Sequence, residues 1–225
     1  MFKAVLFDLN DTLTYADSAE YKKSLEKKLA LINDSRASKE WLDSISKKYF
    51  FERSTGAVTE KEYWTLALAD LGIHNDKLVD KLLEVRSVSG RIFPDVKPAF
   101  KLLRSKGFLI GILANSRAGS KETVERLLSG FDVIVYSHEL GFRKPHKKAY
   151  LELCTLLKVK PEECVFVSDE IYEDLWGAKR LGMKTAWVKR EKRGGYFHVD
   201  PAWKVIVPDY EATDLIQIAK QICAV

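Results

Sequence analysis

The chain has 225 residues, 46% of them hydrophobic and 31% charged, with a formal net charge of +5. That composition can build a core and excludes wholesale disorder, while 12 Gly and 6 Pro exclude a collagen-like or low-complexity chain. No apolar run approaches the ~18–20 residues of a membrane span, Asp8 interrupts the N-terminus too early for a signal peptide, and 3 cysteines without CxxC spacing argue against a disulfide framework or a Cys-rich zinc site, so a soluble cytoplasmic protein is expected.

In chain order, residues 3–8 (KAVLFD) form a short apolar run that ends at a carboxylate. A stretch without strand pattern follows, from about residue 17 to residue 91. Tyr21, Leu25, Leu29 and Ile32 fall on one helical face, as do Trp41, Ile45 and Tyr49. Trp64, Leu68 and Leu71 predict a third helix closed by Gly72, and Leu78, Leu82 and Val85 a fourth. Amphipathic helices with short joins predict a small bundle, tied to the rest by segments near 14–16 and 90–93. The strand–helix alternation then resumes near Phe93-Pro94. Val96, Ala99, Phe100 and Leu103 share a helical face, and residues 108–114 (FLIGILA) read as a strand. Residues 133–136 read as another, Ala149, Leu153, Leu156 and Leu157 as a helix, and residues 165–168 as a strand. Residues 185–188 and 205–207 are weaker strand candidates, and the basic run KREKRGG from Lys189 reads as a solvated loop. Continuous apolar runs separated by helices predict an α/β fold, a Rossmann-like parallel sheet with right-handed crossovers. The expected division is a core of residues 1–15 and 92–225 and a helical insertion of residues 16–91.

In an open parallel sheet, ligands bind beyond the carboxyl ends of the strands. Those ends carry Asp8-Leu9-Asn10-Asp11-Thr12, Ala114-Asn115-Ser116, and Ser168-Asp169 followed by Asp174, with Lys144-Pro145 in the loop after the third strand. Carboxylates gathered in one crevice repel unless a cation compensates, and oxygen ligands of this kind suit Mg²⁺. A lysine beside them suits a phosphate-like anion and keeps a neighbouring Asp ionised. Asp11 and Thr12 read as turn residues. His138 and His146 lack a metal-like partner at i+4 and read as structural or exposed. Spacing does not say whether Arg36 and Arg53 reach the site from the insertion. The mixed charge points to a small anionic ligand rather than to nucleic acid or a membrane, and leaves the oligomeric state open.

FDLNDTL, ILANS, RKP and VFVSDEIYEDLWGAKRLGM, in this order, resemble the four motifs of the haloacid dehalogenase (HAD) superfamily of hydrolases, and the resemblance covers the whole chain. It implies a HAD core with the insertion as a cap, and a covalent mechanism in which Asp8 is the nucleophile. It further implies that Asp8, the backbone carbonyl of Asn10, Asp169 and Asp174 hold Mg²⁺. Lys144 would neutralise Asp8 and the phosphoryl oxygens, and Asn115 with the neighbouring backbone would bind the transferred group. Two positions depart from the phosphatase pattern. Asn10 stands where the family carries an acid/base Asp, and an amide has no proton to exchange near neutral pH. Ala114 stands where it carries Thr or Ser, leaving Ser116 as a substitute to bind the anion. The implied activity is a Mg²⁺-dependent phosphatase of a small phosphorylated metabolite. The alternatives are a 2-haloacid dehalogenase, whose halide leaves without a proton, and a catalytically impaired binding or regulatory protein.

Overall fold

A computed structural model of the chain describes residues 1–85, 90–117, 121–190 and 206–225. From the N-terminus, β1 (Ala4–Phe7) leads through a tight turn to β2 (Thr14–Ala16). Five helices follow: α1 (Ser18–Ile32), α2 (Lys39–Lys48), α3 (Phe50–Ser54), α4 (Glu60–Asp70) and α5 (Asp76–Glu84). β3 (Gly90–Ile92) returns antiparallel to β2, pairing Thr14 with Ile92 and Ala16 with Gly90. The two segments expected as simple joins are thus strands of one short ribbon, and α3 is a helix that the periodicity did not mark. Three residues are too few to display a period of two, so neither strand was visible in the sequence.

The remainder alternates as expected: α6 (Val96–Ser105), β4 (Leu109–Ala114), α7 (Lys121–Leu127), β5 (Val133–Tyr136), α8 (Ser137–Leu140), α9 (Lys147–Leu157), β6 (Cys164–Ser168), α10 (Trp176–Lys179), β7 (Lys184–Val188), β8 (Tyr210–Ala212) and α11 (Leu215–Cys223). The sheet order is β5-β4-β1-β6-β7-β8, with every pair parallel. The expected strand at 205–207 is not found: Ile206 and Val207 lie outside any strand, Val205 lies outside the described residues, and β8 forms instead at Tyr210. Most of the KREKRGG run also lies outside the described residues.

The central strands are buried because their side chains meet helices on both faces. Val5, Phe7, Ile112 and Val167 pack with Phe100 of α6 and Ile218 of α11. Leu6, Leu113 and Phe166 pack on the other face with Tyr150 and Leu153 of α9. Gly111 in β4 suits that packing, because a Cβ there would lie 2.8 Å from a Leu157 methyl and 3.0 Å from methyls of Leu153 and Leu6, which would have to shift. On α9 the buried stripe runs through Ala149, Tyr150, Leu153, Cys154 and Leu157. Leu156, expected inside, falls at the edge of that stripe and is exposed. The insertion has its own core, in which Ile32, Ile45, Tyr63, Trp64, Leu68 and Leu82 meet. Four of its five described helices start on side-chain caps, Asp17, Ser38, Thr59 and Asn75 each accepting backbone N–H of the first turn, while α3 has none. No described helix is long and apolar enough to cross a membrane.

Candidate active site

Hydrogen bonding carries the β1–β6 pairing one residue past β1: the Asp8 N–H donates to the Val167 carbonyl at 2.9 Å. The Asp8 side chain therefore starts from a fixed backbone at the carboxyl edge of the sheet. It is buried, and Oδ1 accepts a very short ion-paired hydrogen bond from Lys144 Nζ. Lys144, 1% exposed, also donates to Asp174 Oδ2 at 2.7 Å, and that oxygen accepts the Ser168 hydroxyl at 2.7 Å. Asp174 reaches this position from a single π-helical turn, Ile171–Leu175, a rare geometry that is frequent at functional sites.

Burial pushes the Asp8 carboxyl up to about 6, with Lys144 pulling it down and Asp174 pushing it further up. Burial also acts to lower the Lys144 ammonium, but Asp174 and Asp8 together outweigh it and hold the lysine well above its ordinary value. Lys144 is thus a fixed positive charge between two carboxylates. Asp169 lies near them under a different constraint. Burial, then the charge of Asp8, push its carboxyl up to about 8, against the pull of Thr12. Thr12 donates its hydroxyl to Asp169 Oδ1 at 2.9 Å and accepts the Asp169 N–H at 3.0 Å. Read from the sequence as a turn residue, Thr12 proves to fasten the segment after β1 to the end of β6.

Asn115 was expected to face the transferred group, but its amide is taken up by the loop that carries Lys144. Oδ1 accepts the Lys144 N–H at 2.8 Å, while Nδ2 donates to the Lys144 carbonyl at 3.2 Å and to Glu173 Oε1 at 3.0 Å. Glu173 in turn pairs with buried Arg143 at 2.8 Å. Arg143 lies over the rings of Phe50 and Phe51 in α3, at 4.6 and 4.9 Å. Burial pushes Glu173 up to about 7, opposed by Arg143. Neither Arg143 nor Glu173 was singled out from the sequence. The density of acids in SDEIYED was the one available signal for Glu173. Ser116 is buried, its hydroxyl 3.0 Å from His138 Nδ1 and its N–H donated to Ser137 Oγ. Asn10 is exposed, with Nδ2 3.5 Å from the Asn115 carbonyl. Ala114 is fully buried and offers no polar side chain.

A cavity of about 460 Å³ opens between this edge and the insertion, lined by Asn10, Asp11, Ser116 and Arg117 on one side and by Phe50 and Arg53 of α3 on the other. Arg36, by contrast, is spent on Asp34 and the Leu71 carbonyl. Among the described residues, no three His, Cys, Asp or Glu side chains stand around one point as a metal cage. Asp174 is turned to Lys144 and Ser168, and Asp169 to Thr12. The donor chemistry nevertheless fits a hard divalent cation. Asp8 is a buried carboxylate whose charge raises the protonation of the half-buried Asp169, and an added positive charge between them would relieve both desolvation and repulsion.

A model of the family described as haloacid dehalogenase-like hydrolase matches residues 2–182. Glyceraldehyde 3-phosphate phosphatase of Methanopyrus kandleri is 30% identical over 225 aligned positions, covering 94% of this chain and 93% of the relative. N-acylneuraminate-9-phosphatase of Rattus norvegicus is 28% identical, covering 96% and 92%. Among solved structures, a 2-haloacid dehalogenase from Pseudomonas syringae pv. Tomato DC3000 superposes with a TM-score of 0.74 at 26% identity, covering 100% of this chain and 99% of that one.

Proposed function

The chain belongs to the haloacid dehalogenase-like hydrolase family, and from that premise we propose that it is a phosphatase of a small phosphorylated metabolite that works through a phosphoryl group carried on Asp8. The observation that carries the reading is the buried Asp8–Lys144–Asp174 cluster at the sheet edge. A carboxylate nucleophile must be ionised and aimed. Lys144 serves the first need by opposing the effect of burial, and the β1–β6 ladder serves the second.

In this reading an Asp8 oxygen attacks phosphorus in line with the ester oxygen. The new O–P bond forms as the P–O bond to the leaving group breaks. Lys144 holds charge against the phosphoryl oxygens, and Asn115 fixes the Lys144 peptide so that the ammonium keeps its place. Water then attacks the phosphorus of the Asp8 ester, releasing phosphate and regenerating the carboxylate. Magnesium, which belongs to the reading, would be held by Asp8, Asp169 and the Asn10 carbonyl, with Asp174 behind Lys144. Its contribution would be to neutralise charge on the transferred group. Asn10 cannot protonate the leaving oxygen, so esters whose leaving group is stable as an anion are the better substrates. Residues 16–91 act as a cap over the cavity, hinged on the β2–β3 ribbon. The names of the relatives, phosphatases of a triose phosphate and of a sugar-acid phosphate, support the substrate class.

A second reading, 2-haloacid dehalogenase, is favoured by Asn10 and by the likeness to the Pseudomonas structure, but it leaves Asp169 without a task. A panel of phosphate esters with and without Mg²⁺, beside chloride release from 2-chloropropionate, tests the choice. Mg²⁺-dependent phosphate release is the expected result. Metal-independent chloride release selects the dehalogenase, and no turnover in either assay selects an impaired binding protein.

A further inference from the structure

Besides the β2–β3 ribbon, the cap meets the core again at α3. The Ser137 hydroxyl, at the start of α8, donates to the Ser54 carbonyl in α3 at 2.6 Å. Gly56, with φ +75°, comes so close to His138 that a Cβ there would lie 2.2 Å from the His138 carbonyl oxygen. This seat sets α3 against the loop that carries Lys144. There the Arg143 guanidinium lies 4.6 Å from the Phe50 ring and 4.9 Å from the Phe51 ring. Arg143 is 6% exposed and pairs with Glu173 through Nη2, but among the described residues its Nε and Nη1 have no hydrogen-bond acceptor. Two buried donors without acceptors carry a cost, so the face of the guanidinium against the rings is the favourable contact that this end of the side chain has.

Arg143 is one peptide bond from Lys144, and the two are also joined the long way round. The Glu173 oxygen that pairs with Arg143 accepts Asn115 Nδ2 at 3.0 Å. Asn115 in turn grips the Lys144 residue at both its N–H, at 2.8 Å, and its carbonyl, at 3.2 Å. Arg143, Glu173, Asn115 and Lys144 thus close a ring of contacts, and that ring touches the cap through the Arg143 guanidinium. The ammonium that meets Asp8 and Asp174 stands at the end of a long flexible side chain, so its aim depends on how firmly the backbone at its root is held. Phe50 lines the cavity and has a part in shaping it. Phe51 is exposed and is not part of that lining, so its contact with Arg143 is not explained by the space for substrate.

We infer that Arg143 is a positioning residue for Lys144, and that the cap takes part in aiming Lys144 by resting Phe51 on the Arg143 guanidinium. The effect on turnover rests on the phosphatase reading, whereas the coupling does not, and the test separates the two. Phe51→Leu keeps apolar bulk but removes the ring face, and Phe51→Tyr keeps the ring. In amide exchange followed by NMR, normalised to the Leu153 amide of α9 as a reporter of core opening, the Lys144 N–H should exchange about tenfold faster in Phe51→Leu, and Phe51→Tyr should restore the slow rate. On a phosphate ester that the unmodified chain hydrolyses, Phe51→Leu should lower kcat about tenfold and leave KM within about twofold. In an Arg143→Lys background, which keeps the charge but loses the planar fork, Phe51→Leu should lower kcat by no more than about twofold further. Lys144 exchange that does not move in Phe51→Leu, or that Phe51→Tyr fails to restore, would overturn the inference. So would faster exchange with an unchanged kcat, a loss through KM alone, or a full tenfold loss in the Arg143→Lys background. If the unmodified chain hydrolyses no phosphate ester, the phosphatase reading falls and amide exchange alone decides the coupling.

Discussion

Asp169 and Asp209 are acids at opposite edges of one sheet, and the chain treats them in opposite ways. Asp209, just before β8, accepts hydrogen bonds from the Thr185 N–H, the Thr185 hydroxyl, Lys179 and Lys184, all between 2.8 and 3.0 Å. Although burial acts to raise it, those donors hold its carboxyl far below the usual range. Asp169, beyond β6, has the Thr12 hydroxyl as its side-chain donor and Asp8 as a repelling neighbour, and is pushed up to about 8. A carboxylate supplied with donors by its own chain has a structural task. One half-buried beside another acid, with few donors, marks a candidate functional site.

The largest expected effect comes from taking away the one internal cation of the strand-end cluster. Lys144→Met leaves Asp8 and Asp174 facing each other in a buried space, which should cost about 3–5 kcal/mol in urea unfolding and abolish turnover. Lys184→Met at the other edge removes a half-exposed partner from Asp209, which keeps its other donors, and should cost far less. Similar costs for the two variants would erase the distinction.

Next in size is Asn10→Asp. Restoring a titratable group beside the cavity should raise turnover of alkyl phosphates by about 10²-fold, with a smaller gain on aryl phosphates. An unchanged or lower rate on both would mean that Asn10 is not a missing acid. Asn115→Ala should then lower kcat by about tenfold with little change in KM, since it loosens the peptide that aims Lys144 rather than a contact to substrate. A rise in KM alone would return Asn115 to substrate binding.

The effect with the broadest span is a slope against pH. In the folded chain Asp8 lies at about 6 and Asp169 at about 8, both above their ordinary value of 3.8, so the folded state holds more protons than the unfolded one between those values. Stability without metal should therefore fall as pH rises from 4 toward 8 on their account. Asp209 acts in the opposite sense, since its folded value is lowered: its contribution is present above 3.8 and is lost as pH falls below that. Chemical denaturation from pH 2 to 8, with and without Mg²⁺, would read both, and Mg²⁺ should flatten the falling limb above pH 4.

Much of this was legible in the sequence. Uninterrupted apolar runs located β1, β4, β5 and β6, because strands buried on both faces leave no polar alternation to confuse the reading. The meeting of Asp8, Lys144 and Asp174 followed from strand ends and motif order. What stayed hidden depended on side-chain direction. A sequence places Asn115 and Ser116 at the site but does not say that one turns to the Lys144 peptide and the other to His138. The cavity lining was hidden for a related reason. Arg53 and Arg117 are far apart in the chain and share one cavity only when α3 and the loop after β4 are packed. Even the exposure of Leu156 turns on where the centre of a helical stripe falls.

The contrast between the two acids is tested most directly by neutralising each in turn and measuring thermal unfolding at pH 8 in EDTA and again in Mg²⁺. In EDTA, Asp169→Asn should melt higher than the unmodified chain, because it removes a repelled, half-buried charge, and Asp209→Asn should melt lower, because it weakens a satisfied network. In Mg²⁺, the unmodified chain and Asp209→Asn should both gain stability, and Asp169→Asn should not. A fall in melting temperature for both variants in EDTA, with an undiminished Mg²⁺ response in Asp169→Asn, would contradict the assignment of the strand-end acids to a cation.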